Sequence, residues 1–99
     1  MKAFIIATVT VKDPKKFQQY AEKSKSTFDI AGAEILLKGS YQGTLTGQAS
    51  HQSAAIITFK DQATLERWYQ SKEYQELISL RDQAADITIT QYSIPSMSN

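Results

Sequence analysis

Apolar positions along the chain switch between a period near two residues and a period near 3.6, and the switches lay out the order β-α-β-β-α-β. Ala3 to Val11 is rich in β-branched and apolar side chains and reads as a strand. Asp13-Pro14 opens a helix, Asp13 as N-cap and Pro14 at the first helical position, where its missing N–H is harmless. Phe17, Tyr20, Ala21, Ser24, Phe28 and Ala31 then recur at three or four residues, and Gly32 follows as the C-cap. Ala33 to Tyr41 is a second strand, and Thr44-Leu45-Thr46 is a candidate short one before a polar loop over residues 47–52. Ser53 to Phe59 is a strand, and Asp61 caps a helix that carries Leu65, Trp68 and Tyr69. Ser71 restarts that helix as a second piece on which Tyr74, Leu77, Ile78 and Arg81 share a face at i, i+3, i+4 and i+7. Asp86 to Tyr92 alternates Ile and Thr, the pattern of a half-exposed strand.

This order predicts an α+β, ferredoxin-like βαββαβ domain over residues 1–93, an antiparallel sheet with both helices on one face, and a C-terminal tail over 94–99. Two helices cover one face of such a sheet, so the other face should be polar. Instead Phe4 and Ile6 oppose Ile5 and Ala7, Leu36 opposes Ile35 and Leu37, and Ile56 opposes Ala55 and Ile57. Both faces of the central strands are apolar, and a bare apolar sheet face is unusual on a monomer. The expectation is a homodimer packed through its sheet faces.

Composition narrows the function classes. Ninety-nine residues with 41% hydrophobic content suit one domain with one core. A net charge of +1 with scattered charges gives no footprint for nucleic acid or an anionic membrane, and the strands lack the basic-aromatic pattern that stacks bases. With no cysteine there are no disulfides, thiol nucleophiles or thiolate metal sites. No apolar run reaches the length of a signal-peptide core or a membrane span, so a cytoplasmic protein is expected.

The chemistry-bearing residues are few. His51 is the single histidine, which excludes multi-histidine metal sites; no phosphate-binding Gly-rich loop follows a strand, and no cofactor is expected. His51 lies in a Gly/Ser/Gln-rich loop that suits a solvated side chain, yet it is the only histidine available as a catalytic group. Trp68, Tyr69, Tyr74 and Arg81 cluster in one bent helical region, which suits either a packed core edge or a pocket for a small acidic, partly apolar molecule. Arg81 ends an apolar stripe, and a guanidinium there must reach solvent, an acid or an anionic ligand. As a structural residue it would complement the helix dipole; as a functional one it would anchor an anion, with Trp68, Tyr69, Tyr74 and Tyr20 around it.

The chain resembles the bacterial family called domain of unknown function 1330, within the dimeric α+β barrel superfamily. The resemblance rests on Asp13-Pro14 with Phe17 and Tyr20, Gly32, Leu45-Thr46-Gly47, the strand ending at Phe59, the Trp68-Tyr69-x-Ser71-x-x-Tyr74 run and Arg81. It departs at Thr46, where the family usually places Glu, so a carboxylate able to act as a base or to pair with Arg81 is missing there. The resemblance implies face-to-face sheet dimers with a cleft between each sheet and its helices, and no established reaction. Two functions follow as expectations: a cofactor-independent enzyme of isomerase or monooxygenase type acting on a small aromatic or carboxylate compound, or a non-catalytic ligand-binding or regulatory dimer.

Overall fold

The computed structural model describes residues 2–95. Its elements run β1 (Ala3–Val11), α1 (Pro14–Ala31), β2 (Glu34–Ser40), β3 (Ser53–Phe59), α2 (Gln62–Gln70), α3 (Lys72–Gln75), α4 (Ile78–Ala84) and β4 (Ala85–Ser93). The four strands form one sheet in the order β2-β3-β1-β4, and each neighbouring pair is antiparallel. This is the ferredoxin-like α+β plan that the sequence predicts.

Local chemistry sets the boundaries. Asp13 Oδ1 accepts from Lys16 N at 3.1 Å, and Asp61 Oδ1 accepts from Thr64 N at 2.7 Å, each satisfying a free first-turn donor. Gly32 closes α1 at φ 70, a left-handed conformation that suits glycine. Ser71 has two roles at the break after α2: its Oγ donates to Trp68 O at 2.6 Å and accepts from Tyr74 N at 3.2 Å.

Three details differ from the sequence reading. The second helical region is three pieces rather than two. Leu77 N donates to Tyr74 O at 2.8 Å, an i→i−3 bond that tightens the chain before α4 begins. Thr44-Leu45-Thr46 forms no strand; with no neighbouring strand on which to pair, it bends. In β2 the register shifts between Ile35 and Leu37, so Ile35 pairs with Ile57 but Leu37 pairs with Ile56. Leu36 is the extra residue of a β-bulge, and Leu37 joins Ile56 rather than sharing Ile35's face. Within the tail, Ile94 N still bonds Lys2 O at 2.7 Å, and residues 96–99 lie outside the described residues.

The core sits between the helices and one sheet face. Ala3, Ile5, Ile57 and Phe59 meet Tyr20, Phe28, Leu65, Trp68, Tyr74 and Leu77 there, all buried. Trp68 is the hub. Its ring lies 5.1 Å from Phe28, 5.4 Å from Phe59 and 4.5 Å from Tyr74, and its Nε1 donates to Thr27 Oγ1 at 2.9 Å. No helix among the described residues is long and apolar enough to cross a membrane.

Candidate functional site

A cavity of about 530 Å³ opens between α2, α4 and the sheet near β4. Leu65, Trp68, Ile5, Ile87 and Ile89 give it an apolar floor, while Glu66, Tyr69, Gln70, Gln91 and Arg81 bring polar atoms to its wall. A smaller cavity of about 150 Å³ lies deeper, toward α1, with Phe17, Tyr20 and Phe28 on its wall. Both cavities share Ile5, Trp68, Ile87 and Ile89, so they are adjoining parts of one cleft between sheet and helices.

The hydrogen bonds around Arg81 define this cleft chemically. Its side chain is 15% exposed. Nε donates to Asp82 Oδ1 at 3.1 Å, and Nη1 donates to both the Tyr69 and Tyr74 hydroxyls, at 3.3 Å and 3.1 Å. A guanidinium carries five N–H donors, so the two on Nη2 have no partner among the described residues. Asp82 is 64% exposed, so it offsets the Arg81 charge only through a well-solvated contact. Burial works against that charge, but the bonds to Tyr69, Tyr74 and Asp82 outweigh it and hold the guanidinium above the ordinary arginine range. Arg81 is a permanent cation.

The tyrosines divide the work. Tyr69 lies on the wall of the outer cavity and accepts from Arg81, so its own O–H proton must point away from the guanidinium. Tyr74 is fully buried and links Arg81 to Tyr20, whose hydroxyl lies 2.8 Å from its own. Burial, then the neighbouring Tyr74, pushes the Tyr20 hydroxyl well above the usual phenol range, which keeps it neutral.

The structure therefore brings together Arg81, Trp68, Tyr69, Tyr74 and Tyr20, and separates them from His51. Its Nδ1 lies 3.1 Å from Thr10 Oγ1 and its Nε2 3.2 Å from Thr88 Oγ1. Those threonines lie on the face of the sheet that carries no helix, where His51, Ile6, Leu37 and Ile56 line a basin of about 570 Å³. Sequence reasoning missed Glu66, Gln70 and Gln91. The first two were within reach, because Glu66 and Gln70 stand at i−3 and i+1 to Tyr69 on α2; Gln91 comes to the cavity only through sheet pairing with Ile5. Among the described residues no group of three or more His, Asp or Glu side chains is placed to hold a metal ion.

The sheet order and the helices on a single face, with the cleft beneath them, define a ferredoxin-like α+β fold. The chain belongs to the family described as domain of unknown function (DUF1330), whose model matches residues 2–92. No curated protein matches it. Among solved structures, it is similar to the RPA0582 protein of unknown function from Rhodopseudomonas palustris, at 14% identity and a TM-score of 0.80 over 96% of this chain and 83% of that one. It is also similar to a hydroxynitrile lyase from Passiflora edulis, at 18% identity and a TM-score of 0.71 over 99% and 97% of the two chains. A third similar structure is SnoaB, a cofactor-independent oxygenase from Streptomyces nogalater, at 10% identity and a TM-score of 0.64 over 97% and 95%. At these identities the likeness concerns the fold alone.

Proposed function

We propose that this protein is a small cofactor-independent enzyme, of isomerase or monooxygenase type, that binds a small aromatic or carboxylate compound in the cleft beneath its helices. One observation carries the reading. Arg81 is a partly buried cation on the wall of a cavity whose floor is apolar, and the two N–H groups on its Nη2 have no partner among the described residues. A guanidinium edge matches the two oxygens of a carboxylate, and the isoleucine-lined floor suits a ring or short chain. Tyr69 adds a hydroxyl beside the guanidinium, where it can donate to an oxygen that gains negative charge during reaction. Trp68, Tyr74 and Tyr20 hold these groups in place from behind. Enzymes with this fold include a cofactor-independent oxygenase and a hydroxynitrile lyase, so the architecture accommodates chemistry.

The active form in this reading is a homodimer in which a second copy covers the helix-free sheet face. Leu37 is 54% exposed there and Tyr92 44%, beside Phe4, Ile6 and Ile56. A non-catalytic binding dimer is the second reading. It is favoured by the position of His51, the sole histidine, across the sheet from Arg81.

Thermal unfolding in the presence of benzoate and phenylpyruvate tests the anion site. Both ligands are expected to raise Tm in a concentration-dependent way, because they bind the folded state alone. Arg81→Met keeps the stem, removes the charge, and is expected to abolish that shift. Equal shifts in the two proteins would remove Arg81 from the site.

A further inference from the structure

Glu66, an exposed residue at the solvent edge of the outer cavity, is the sole carboxylate lining it among the described residues. It sits one helical turn before Tyr69 and Gln70, at the i, i+3 and i+4 positions of α2, so the three share a face. The described ion pairs join Lys12 to Asp86, Lys72 to Glu76 and Arg81 to Asp82, and Glu66 is in none of them. A carboxylate and a guanidinium that line one cavity without closing on each other leave a gap in which a ligand can touch both. The cavity thus carries opposite chemistry at two points: cationic and hydroxyl donors at Arg81 and Tyr69, and an acceptor at Glu66. The two glutamines beside it, Gln70 and Gln91, carry no charge to compete with either.

We propose that Glu66 is the proton acceptor of this cavity, acting on a small enolisable 2-oxo carboxylate. The proposal rests on the anion site assigned to Arg81 and selects the isomerase branch of that reading. The Arg81 Nη2 edge holds the carboxylate, and the Tyr69 O–H donates to the adjoining carbonyl oxygen. The Glu66 carboxylate removes a proton from the carbon next to the carbonyl. The C–H electron pair becomes the new C=C bond, and the carbonyl π pair moves onto oxygen as an enolate, where Tyr69 and Arg81 stabilise it. The proton on Glu66 then returns to oxygen, giving the enol, or to carbon, restoring the ketone. Atoms and charge balance without an oxidant, a metal or a second substrate. The apolar floor of Leu65, Ile87 and Ile89 takes the remainder of the molecule, so an aromatic 2-oxo acid suits the cavity better than a purely polar one.

Proton NMR in D2O tests this with phenylpyruvate, whose carbon-bound hydrogens next to the carbonyl exchange through the enol. The wild-type protein is expected to wash deuterium into that position faster than buffer. Glu66→Gln is expected to lower the exchange rate by about 100-fold or more, the usual contribution of a positioned base, while the Tm shift caused by phenylpyruvate persists. Glu66→Asp, which keeps the base on a shorter stem, should recover part of the rate. Exchange in Glu66→Gln equal to wild type overturns the assignment. A wild-type protein that binds phenylpyruvate yet exchanges no faster than buffer overturns the proton transfer and leaves the anion site standing. Absence of any Tm shift in wild type removes the anion site as well.

Discussion

Ile56 and Ile57 are neighbours on β3 with the same side chain, and they belong to opposite sides of the sheet. Ile57 is 3% exposed beneath the helices, next to Ile5 and Trp68; Ile56 lies on the helix-free face beside Ile6 and Leu37, half-buried. Both faces are apolar, so hydrophobicity alone does not distinguish them. What differs is the cover. The first face is closed by this chain's own helices and encloses a cleft with a fixed cation; the second is closed by nothing among the described residues. A covered apolar face and an uncovered one look the same in a hydropathy pattern, and the topology separates them.

The sharpest way to break that contrast is to place the same charge on each face. Ile57→Lys buries an ammonium without a partner among the aromatic rings and should prevent folding, visible as loss of the cooperative thermal transition. Ile56→Lys should leave the chain's own core intact and act on association, shifting the mass measured by light scattering from dimer to monomer. If Ile56→Lys stays dimeric, the helix-free face is not the interface.

Trp68→Ala comes next, and tests how far the covered face depends on one ring. Deleting the indole removes its packing against Phe28, Phe59 and Tyr74 and leaves Thr27 Oγ1 without its donor, so a loss of about 3–5 kcal/mol is expected in denaturant unfolding.

Alkaline pH probes the same face more gently. Burial raises the Tyr20 pKa in the folded state above its ordinary value of 10.0, so the folded state keeps a proton that the unfolded chain releases. Its stabilising effect is therefore complete below pH 10 and is lost as pH rises beyond it. Wild-type Tm should fall through that range, and Tyr20→Phe should fall less steeply. Equal slopes would show that the Tyr20 hydroxyl ionises as freely in the folded state as in the unfolded one.

Ser71→Ala is the smallest effect, about 1 kcal/mol, because it removes the cap bond from Tyr74 N and the Oγ bond to Trp68 O while the backbone bond from Ser71 N to Trp68 O stays in place. Its interest lies in direction. The break at Ser71 sets the angle between α2, which carries Tyr69, and α4, which carries Arg81, so the Tm shift caused by benzoate should shrink along with stability.

Most of the fold was legible because its signals are local. Asp13-Pro14, Gly32, Asp61 and Ser71 punctuate the chain through caps that act within a few residues, and the apolar periods fill the intervals. The bulge at Leu36 was not legible, since which strand residue is extra depends on its partner in β3. The third helical piece was hidden for a similar reason: Leu77 continues the apolar face, and only its bond to Tyr74 O reveals the tightened turn. Within the cleft, the grouping of Trp68, Tyr69, Tyr74 and Arg81 followed from helical spacing. Tyr20, some fifty residues earlier, was named through its place on the first helix, and its bond to Tyr74 is a matter of packing. Glu66 escaped because a lone acidic residue on a helix reads as surface until the cavity beside it is seen.

The extra residue in β2 acts like a delay inserted into an alternating signal. Before Leu36 the strand is in phase with β3 through Ile35 and Ile57; after it, the beat has slipped by one, and Leu37 pairs with Ile56 while Lys38 comes to the cleft side opposite Ala55. A regular ladder, in which Leu36 itself paired with Ile56, would return Leu37 to the side of Ile35 and carry Lys38 over to the face now occupied by Ile6 and Ile56. One residue bulged out of the ladder thus governs whether the outer half of that strand offers a leucine or an ammonium to whatever meets the helix-free face.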